Sequence, residues 1–362
     1  MAGVVETIQM LSPDGTVTPH IDYPLEIDGD LVRTLYRDMV LMRRFDLEAT
    51  ALQRQGELGL FTPIMGQEAA QIGVGRAMRP TDYAFTTYRE HGIGWCKGIE
   101  PLSLLKLFRG VTNGGWNPSE FAMAIYSIVI GDHVPQAVGY AMGVQRDGTD
   151  EVAVAFFGDG ATSQGDVHEA FVFASVFHSP VLFYLQNNHL AISVPVERQA
   201  KHPLVDRADG YGIPGISVDG NDVLATLAVS RAALERIREG GGPMLIEAVT
   251  YRMGSHTTSD DPTRYRPPEH LEHWAGRDPI DRLRALMERE GWADQAFLSD
   301  LDAEADLLGS TLRDGCRALV APPSLTMFDH VYAEPHQQII DDRAFLAEYL
   351  SSAHSTQSLS EG

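Results

Sequence analysis

A carboxylate between two glycines and a pair of asparagines are the residues of this sequence whose types and spacing could do chemistry. GDG at 158–160 ends the apolar run AVAFF, and NN at 187–188 follows the run VLFYLQ. Carboxylate, amide and backbone carbonyl oxygens are the ligands that Mg²⁺ prefers, and glycines let a backbone approach a ligand closely. The alternative is a simple turn, because Asp-Gly is common in turns.

Two strands and one helix must position these residues. The apolar runs at 151–157 and 180–186 are typical of parallel strands buried on both faces, and 164–178 between them has helical spacing. In a right-handed strand–helix–strand unit both turns emerge at the carboxyl edge of the sheet, where ligands of open α/β sheets bind. Asp159 and Asn188 should therefore converge, and the start of the helix offers free N–H groups to an anion. The pattern predicts a site for a diphosphate bridged by Mg²⁺.

The rest of the chain alternates helices and strands, which indicates an α/β fold with a doubly wound, mostly parallel sheet and helical additions. Helices are predicted at 29–56, 66–78, 134–145, 222–240, 279–290 and 295–320, and further strands at 212–220 and 243–252. We predict an N-terminal arm over 1–28, a domain over 29–325, and a C-terminal extension over 326–362 that ends in the disordered tail SSAHSTQSLSEG.

Composition and charge exclude several classes of protein. The chain has 362 residues, 44% of them hydrophobic, and a formal net charge of −22. This acidic balance lacks the basic footprint of a nucleic-acid binder, and no apolar run approaches the ~18 residues of a membrane span. The two cysteines lie far apart, so neither a disulfide framework nor a cysteine metal site is predicted. The first residues lack the features of a signal or transit peptide, and we expect a cytoplasmic protein.

Further segments sharpen the prediction. The GxGxxG and Walker A nucleotide fingerprints are absent, and GDG followed by NN is similar to the signature of thiamine-diphosphate (ThDP) enzymes. The segments GLFTPIMGQEAAQIG, TTYREHG, HVPQAVGYAMG, QNNHLAISVPVERQ and SHTTSDDPTRYR occur in the order expected of one family. From about residue 30 to 320 the chain resembles the α subunit of the ThDP-dependent decarboxylase of 2-oxo acid dehydrogenase complexes. The resemblance implies a ThDP-binding α/β fold and an α2β2 heterotetramer, with cofactor sites between α and β chains.

The resemblance also implies roles for particular residues. The implied Mg²⁺ ligands are Asp159, Asn188 and the backbone carbonyl of Leu190. The implied cofactor-binding residues are Tyr88, Arg89, Ile130, Gly158, Gly160, Ala161, Asn188 and His256. Among these, Tyr88 and Arg89 would hold the terminal phosphate, for which a guanidinium fork is well suited. Ile130, in the segment SIVIGD, would contact the aminopyrimidine.

His256 is the catalytic residue that the resemblance implies. The family places a histidine here, in a mobile loop over the thiazolium end of the cofactor. An imidazole there could transfer a proton or stabilise charge during acyl transfer, whereas a histidine in an ordinary loop is simply solvated. Thr257 stands where some relatives carry a phosphorylated serine, so the chain departs from the pattern on which that regulation depends.

The implied reaction is oxidative decarboxylation of a 2-oxo acid, with acyl transfer to the lipoyl group of a partner acyltransferase. The β subunit would supply the glutamate that activates the cofactor, so this chain alone should be inactive. A branched-chain substrate of the 3-methyl-2-oxobutanoate type is favoured over pyruvate, and acetoin is a more distant alternative. A non-catalytic homologue and a nucleotide-binding protein with the same sheet-edge geometry remain as alternatives from other classes.

Overall fold

The computed structural model describes the backbone of residues 6–360 and the side chains of residues 6–352. Six strands form one sheet: β1 (Thr7–Ile8), β2 (Tyr83–Phe85), β3 (Ala153–Gly158), β4 (Val181–Asn187), β7 (Gly215–Asp219) and β8 (Met244–Val249). Their order is β1-β7-β8-β4-β3-β2, and neighbouring strands run parallel throughout. A separate antiparallel hairpin is formed by β5 (Leu190–Ala191) and β6 (Val194–Pro195). The predicted parallel α/β sheet is confirmed.

Helices connect these strands along the chain and follow the last of them. They are α1 (Gly29–Arg54), α2 (Glu68–Ala77), α3 (His91–Cys96), α4 (Pro101–Arg109), α5 (Pro118–Phe121), α6 (His133–Asp147), α7 (Gly165–Phe177), α8 (Asp206–Asp209), α9 (Val223–Arg236), α10 (Pro268–Ala275), α11 (Pro279–Arg289), α12 (Gln295–Ala318) and α13 (Gln337–Ser360). Helices α1, α2, α6, α7, α9, α11 and α12 correspond to predicted helices. The short helices α3, α4, α5, α8 and α10, and the long helix α13, lie in segments for which the sequence predicts no helix. Within residues 6–360, no helix combines the length and apolarity needed to cross a lipid bilayer.

Successive residues of the central strands face two different apolar cores. In β3, Val154 and Phe156 pack in the core that contains α1, α2 and α9. The intervening Ala155 and Phe157 pack in the core that contains α6 and α7. Both faces of the strand are thus buried, which is why its sequence is a continuous apolar run.

The N-terminal segment belongs to the sheet, contrary to the predicted arm. β1 pairs with β7 as the edge strand, and the Met10 and Leu11 side chains are buried. The backbone N–H groups of Met10 and Leu11 both donate to the carboxylate of Asp222, which also caps α9. A strand of two residues has no periodicity, so the sequence pattern could not reveal it.

The C-terminal part of the chain also differs from its prediction. Residues up to Ala318 form one unit and those from Leu319 a second, whereas the predicted boundary lay at 325. Helix α12 ends at Ala318, and the Pro-Pro pair at 322–323 cannot continue a helix. Helix α13 runs through most of the predicted disordered tail, because residues 351–360 contain neither proline nor glycine to interrupt it. Residues 361–362 of that tail lie outside the described residues.

Replacing Asp222 by alanine should destabilise the fold more than removing an exposed helix cap. The buried Asp222 carboxylate accepts hydrogen bonds from backbone N–H groups at 10–11 and 224–225. A buried donor left unpaired costs about 1–3 kcal/mol, whereas loss of an N-cap costs ~1 kcal/mol. Asp28→Ala, which removes only the exposed cap of α1, is the matched control. In urea unfolding followed by circular dichroism, Asp222→Ala should have the lower midpoint. Equal midpoints would contradict this role of Asp222.

Candidate active site

A cavity of about 270 Å³ lies at the carboxyl edge of the sheet, lined by residues that follow β3, β4 and β8. Every site residue implied by the sequence lines it: Tyr88, Arg89, Ile130, Gly158, Asp159, Gly160, Ala161, Asn188, Leu190 and His256. The structure therefore brings together the GDG turn, the NN turn and three loops distant in sequence, which carry Tyr88 and Arg89, Ile130, and His256. Their individual roles remain predictions.

The GDG turn places a buried carboxylate against a close-packed hairpin. β3 ends at Gly158, and a single 3-10 turn over 159–163 precedes α7. The Asp159 carboxylate is buried and accepts a hydrogen bond of 2.6 Å from Gln199 Nε2. Burial raises the pKa of Asp159 above its ordinary value, and the Gln199 hydrogen bond partly opposes this shift. A Cβ on Gly160 would lie 2.8 Å from the Cβ of Ala191, so close approach of the hairpin requires glycine.

The NN turn presents a second set of oxygens. Asn188 Oδ1 accepts from the backbone N–H of Leu190 at 3.3 Å, and Asn188 Nδ2 donates to Gln67 Oε1 at 2.9 Å. The Leu190 carbonyl accepts from Arg252 at 2.9 Å. His189 between them has a left-handed φ of 67°, which turns the chain back toward Asn188.

His256 lies between two buried guanidinium groups. Arg89 donates to His256 Nδ1 at 3.2 Å and to its carbonyl at 2.8 Å, and Arg252 approaches Nδ1 at 3.4 Å. Burial, with the charges of Arg89 and Arg252, lowers the pKa of His256 to about 3. Burial and the neighbouring Arg252 also lower the pKa of Arg89 to about 10. The imidazole is therefore neutral, and because Nδ1 accepts hydrogen bonds its proton lies on Nε2.

The loop that carries His256 is held at several points. The His256 N–H donates to Asp260 at 2.9 Å, and the Tyr265 hydroxyl donates to the same carboxylate. Arg252 in turn donates to the Tyr265 hydroxyl at 3.2 Å. The Phe61 backbone N–H donates to the Thr258 hydroxyl at 3.1 Å, and the Thr258 backbone N–H donates to the Phe61 carbonyl at 2.9 Å. These contacts fix the position of the imidazole over the cavity.

Sequence reasoning missed several polar residues that line the cavity, chiefly Gln67, Glu90, Gln164, Gln186 and Arg252. Arg252 ends the predicted strand 243–252, so the sheet-edge argument applied to that strand would have found it. Gln67 lies in the segment GLFTPIMGQEAAQIG, but the resemblance implies no role for it, and it is far from the GDG and NN turns in sequence. Gln199, which bonds to Asp159, lies on a turn that follows the hairpin.

The donor set of the cavity fits a metal–diphosphate unit. Among the described residues, no group of three or more His, Cys, Asp and Glu side chains is placed to hold a metal, so the implied site uses mixed oxygens. Asp159 has a second carboxylate oxygen, and the Asn188 and Leu190 oxygens each keep a free lone pair for a cation. Two buried donors, Gln67 Nε2 and Arg252 Nε, find no hydrogen-bond partner among the described residues. Unpaired buried donors suit an anionic ligand.

Comparison with known proteins identifies the family. The model of the family described as "Dehydrogenase E1 component" matches residues 36–307. The chain belongs to this family. It is 48% identical over 334 residues to the 3-methyl-2-oxobutanoate dehydrogenase subunit alpha of Mycobacterium tuberculosis, which covers 91% of this chain and 90% of the relative. It is 39% identical over 305 residues to the pyruvate dehydrogenase E1 component subunit alpha of Bacillus cereus, covering 82% and 80%.

A further E1 relative supports the same family. The chain is 36% identical over 323 residues to the pyruvate dehydrogenase E1 component subunit alpha of Acholeplasma laidlawii, covering 87% of this chain and 92% of the relative. The resemblance to E1 α subunits that the motifs indicated is confirmed, and the branched-chain relative is more similar than these two pyruvate relatives.

The His256 imidazole of this E1 chain should stay neutral from about pH 5 to 8 in protein purified without cofactor, since its pKa lies near 3. Replacing Arg252 by methionine removes one neighbouring positive charge and should move the pKa back toward 6.5. Ring ¹⁵N shifts, assigned by comparison with His256→Gln, measure both values. A wild-type midpoint near 6.5 would contradict the buried, charge-flanked geometry.

Proposed function

We propose that this E1 chain is the α subunit of a ThDP- and Mg²⁺-dependent 2-oxo acid dehydrogenase. It decarboxylates a branched-chain acid of the 3-methyl-2-oxobutanoate type and transfers the acyl group to the lipoyl group of a partner acyltransferase. One observation carries the proposal: the implied metal ligands, phosphate-binding residues and His256 line a single cavity that also holds unpaired donors. The E1 family implies ThDP, and the 48% identical relative supports the substrate class.

Different residues of the cavity would bind the metal ion, the diphosphate and the aminopyrimidine of the cofactor. Asp159, Asn188 and the Leu190 carbonyl would hold Mg²⁺, which prefers such hard oxygen ligands. The backbone of Gly158, Gly160 and Ala161 would face the diphosphate at the close approach that glycine permits. In addition, Tyr88 and Arg89 would hold the terminal phosphate, and Ile130 would contact the aminopyrimidine. A phosphate bound at Arg89 would receive charge-assisted hydrogen bonds.

His256 would act beside the reacting centre as a neutral hydrogen-bond donor through Nε2. When bound, ThDP supplies the electron sink for decarboxylation, so the task of the chain is placement and electrostatics. A phosphate anion beside Arg89 would offset that guanidinium charge and raise the pKa of His256 toward the range useful for proton transfer. Cofactor binding would thereby prepare the imidazole for its role.

A β subunit is part of the proposal because the E1 family implies one, and none of the described residues offers this cavity a free acid for cofactor activation. Its lining carboxylates are Asp159, assigned to the metal, and Glu90. Both oxygens of Glu90 are engaged, by Gln186 Nε2 at 2.7 Å and by Thr87 Oγ1 at 2.6 Å. The activating glutamate would therefore come from the β chain of an α2β2 heterotetramer. The cytoplasmic location remains a prediction from the sequence.

The substrate class is tested by turnover of the chain co-expressed with its β partner, with ThDP, Mg²⁺ and an artificial electron acceptor. We expect kcat/KM for 3-methyl-2-oxobutanoate to exceed that for pyruvate by about 10-fold or more, because added methyl groups in an apolar pocket give roughly 10- to 200-fold discrimination. The α chain alone should show no turnover. A preference for pyruvate would reverse the substrate assignment, and full activity of the α chain alone would contradict the need for a β subunit.

Asp159→Ala should abolish Mg²⁺-dependent binding of ThDP. It removes the charged ligand, so the loss should exceed the roughly 10- to 100-fold that follows loss of an outer-shell partner. Isothermal titration of the α–β pair with ThDP at fixed Mg²⁺ measures the effect. Asp147→Ala, which removes an exposed carboxylate at the end of α6, is the control. ThDP affinity retained in Asp159→Ala would show that the metal assignment is wrong.

A further inference from the structure

Gln67 is a buried side chain that lines the cavity, and only one of the two polar atoms of its amide has a hydrogen-bond partner among the described residues. It lies at the start of α2 but makes no side-chain bond that caps this helix. Its Oε1 accepts from Asn188 Nδ2 at 2.9 Å, whereas its Nε2 is buried and has no hydrogen-bond partner among the described residues. A buried amide donor without a partner is unfavourable unless a ligand completes it.

The glutamine one helical turn later shows that this region is otherwise fully paired. Gln71 Nε2 donates to the Arg89 carbonyl and to Gln186 Oε1, both at 3.1 Å. Gln71 Oε1 accepts from the backbone N–H of Gly92 at 2.9 Å. Both polar atoms of the Gln71 amide are therefore hydrogen-bonded within the protein, whereas Nε2 of the Gln67 amide is not.

The orientation of the Gln67 amide follows from a backbone group and is not arbitrary. The Leu190 N–H is a donor only, so the end of Asn188 that faces it must be Oδ1. The other end, Nδ2, is then a donor toward Gln67, which must present Oε1. The remaining polar atom of the Gln67 amide is therefore Nε2, and its two N–H groups are the unpaired end of this series of hydrogen bonds. Flipping either amide would set two donors against each other.

We propose that Gln67 has two functions toward the metal–diphosphate unit of the proposed cofactor. As a positioning residue, it holds the Asn188 amide so that Oδ1, and not Nδ2, is available to the cation. As a binding residue, it donates its free Nε2–H to an oxygen of the diphosphate. The inference rests on the proposed function and extends it to a residue for which the family resemblance implies no role.

Two substitutions separate these functions. Gln67→Glu keeps an oxygen that accepts from Asn188 Nδ2 but loses the donor toward the ligand. Gln67→Met has similar length and loses both. Each variant is co-purified with its β partner, and two quantities are measured: the melting temperature without cofactor and the dissociation constant of ThDP at saturating Mg²⁺. Gln71→Met is the stability control, because its wild-type amide is fully paired within the protein.

We expect both Gln67 variants to bind ThDP about 10- to 100-fold more weakly, the range for loss of a hydrogen bond to a charged group. The melting temperature of cofactor-free Gln67→Met should fall less than that of Gln71→Met. Gln67→Met removes one unpaired buried donor, Gln67 Nε2, but leaves another, Asn188 Nδ2, whereas Gln71→Met removes three hydrogen bonds. A purely structural role would lower the melting temperature of Gln67→Met as much as that of Gln71→Met.

Three outcomes would overturn parts of this assignment. Affinity within about twofold of wild type in both variants, less than the loss of one hydrogen bond, would overturn both functions of Gln67. Weak binding by Gln67→Met with normal binding by Gln67→Glu would overturn the donor function alone. Failure of the wild-type pair to bind ThDP would instead overturn the proposed function, so the two failures are distinguishable.

Discussion

Two buried guanidinium groups without a carboxylate partner are the constraint on which the site depends. Arg89 is 6% exposed and Arg252 is 1% exposed, and neither forms an ion pair among the described side chains. They donate instead to carbonyl groups, to the Tyr265 hydroxyl and to His256. Burying unpaired charge is costly, so the fold stabilises it through these neutral acceptors. The lowered pKa that keeps His256 neutral follows from its burial and then from these two charges.

The two arginines and the other site residues come from segments that are distant in sequence and meet at one edge of the sheet. Tyr88 and Arg89 lie between β2 and α3, Arg252 follows β8, and Asp159 follows β3. Only the shared carboxyl edge of a parallel sheet brings these segments together. The 61–67 segment then links them, since its residues bond to Tyr88, Arg89 and Asn188. The site is therefore a product of the sheet edge and of one connecting segment that packs against it.

The direction of the hydrogen bonds determines which acceptors and donors remain available inside the cavity. Cation ligands and anion donors must lie close together without cancelling each other, and amide side chains achieve this because one end accepts and the other donates. The path from the Leu190 N–H through Asn188 to Gln67 has a fixed direction. It leaves an oxygen for a cation at Asn188 and a donor for an anion at Gln67. A cavity with both features fits an E1 cofactor site better than a nucleotide site without a glycine-rich fingerprint.

The sequence by itself determined the four central strands of the sheet, their carboxyl edge and the residues of the two turns. Continuous apolar runs required strands buried on both faces, and the GDG and NN turns at their ends had to meet. Motif resemblance added Tyr88, Arg89 and His256, which lie far away in sequence but line the same cavity. The short strands β1 and β2, the course of α13 and the partners Gln67 and Gln199 emerged only from the tertiary structure. Periodicity reports which face of an element is buried, but hydrogen bonds between distant polar side chains depend on packing that no local pattern encodes.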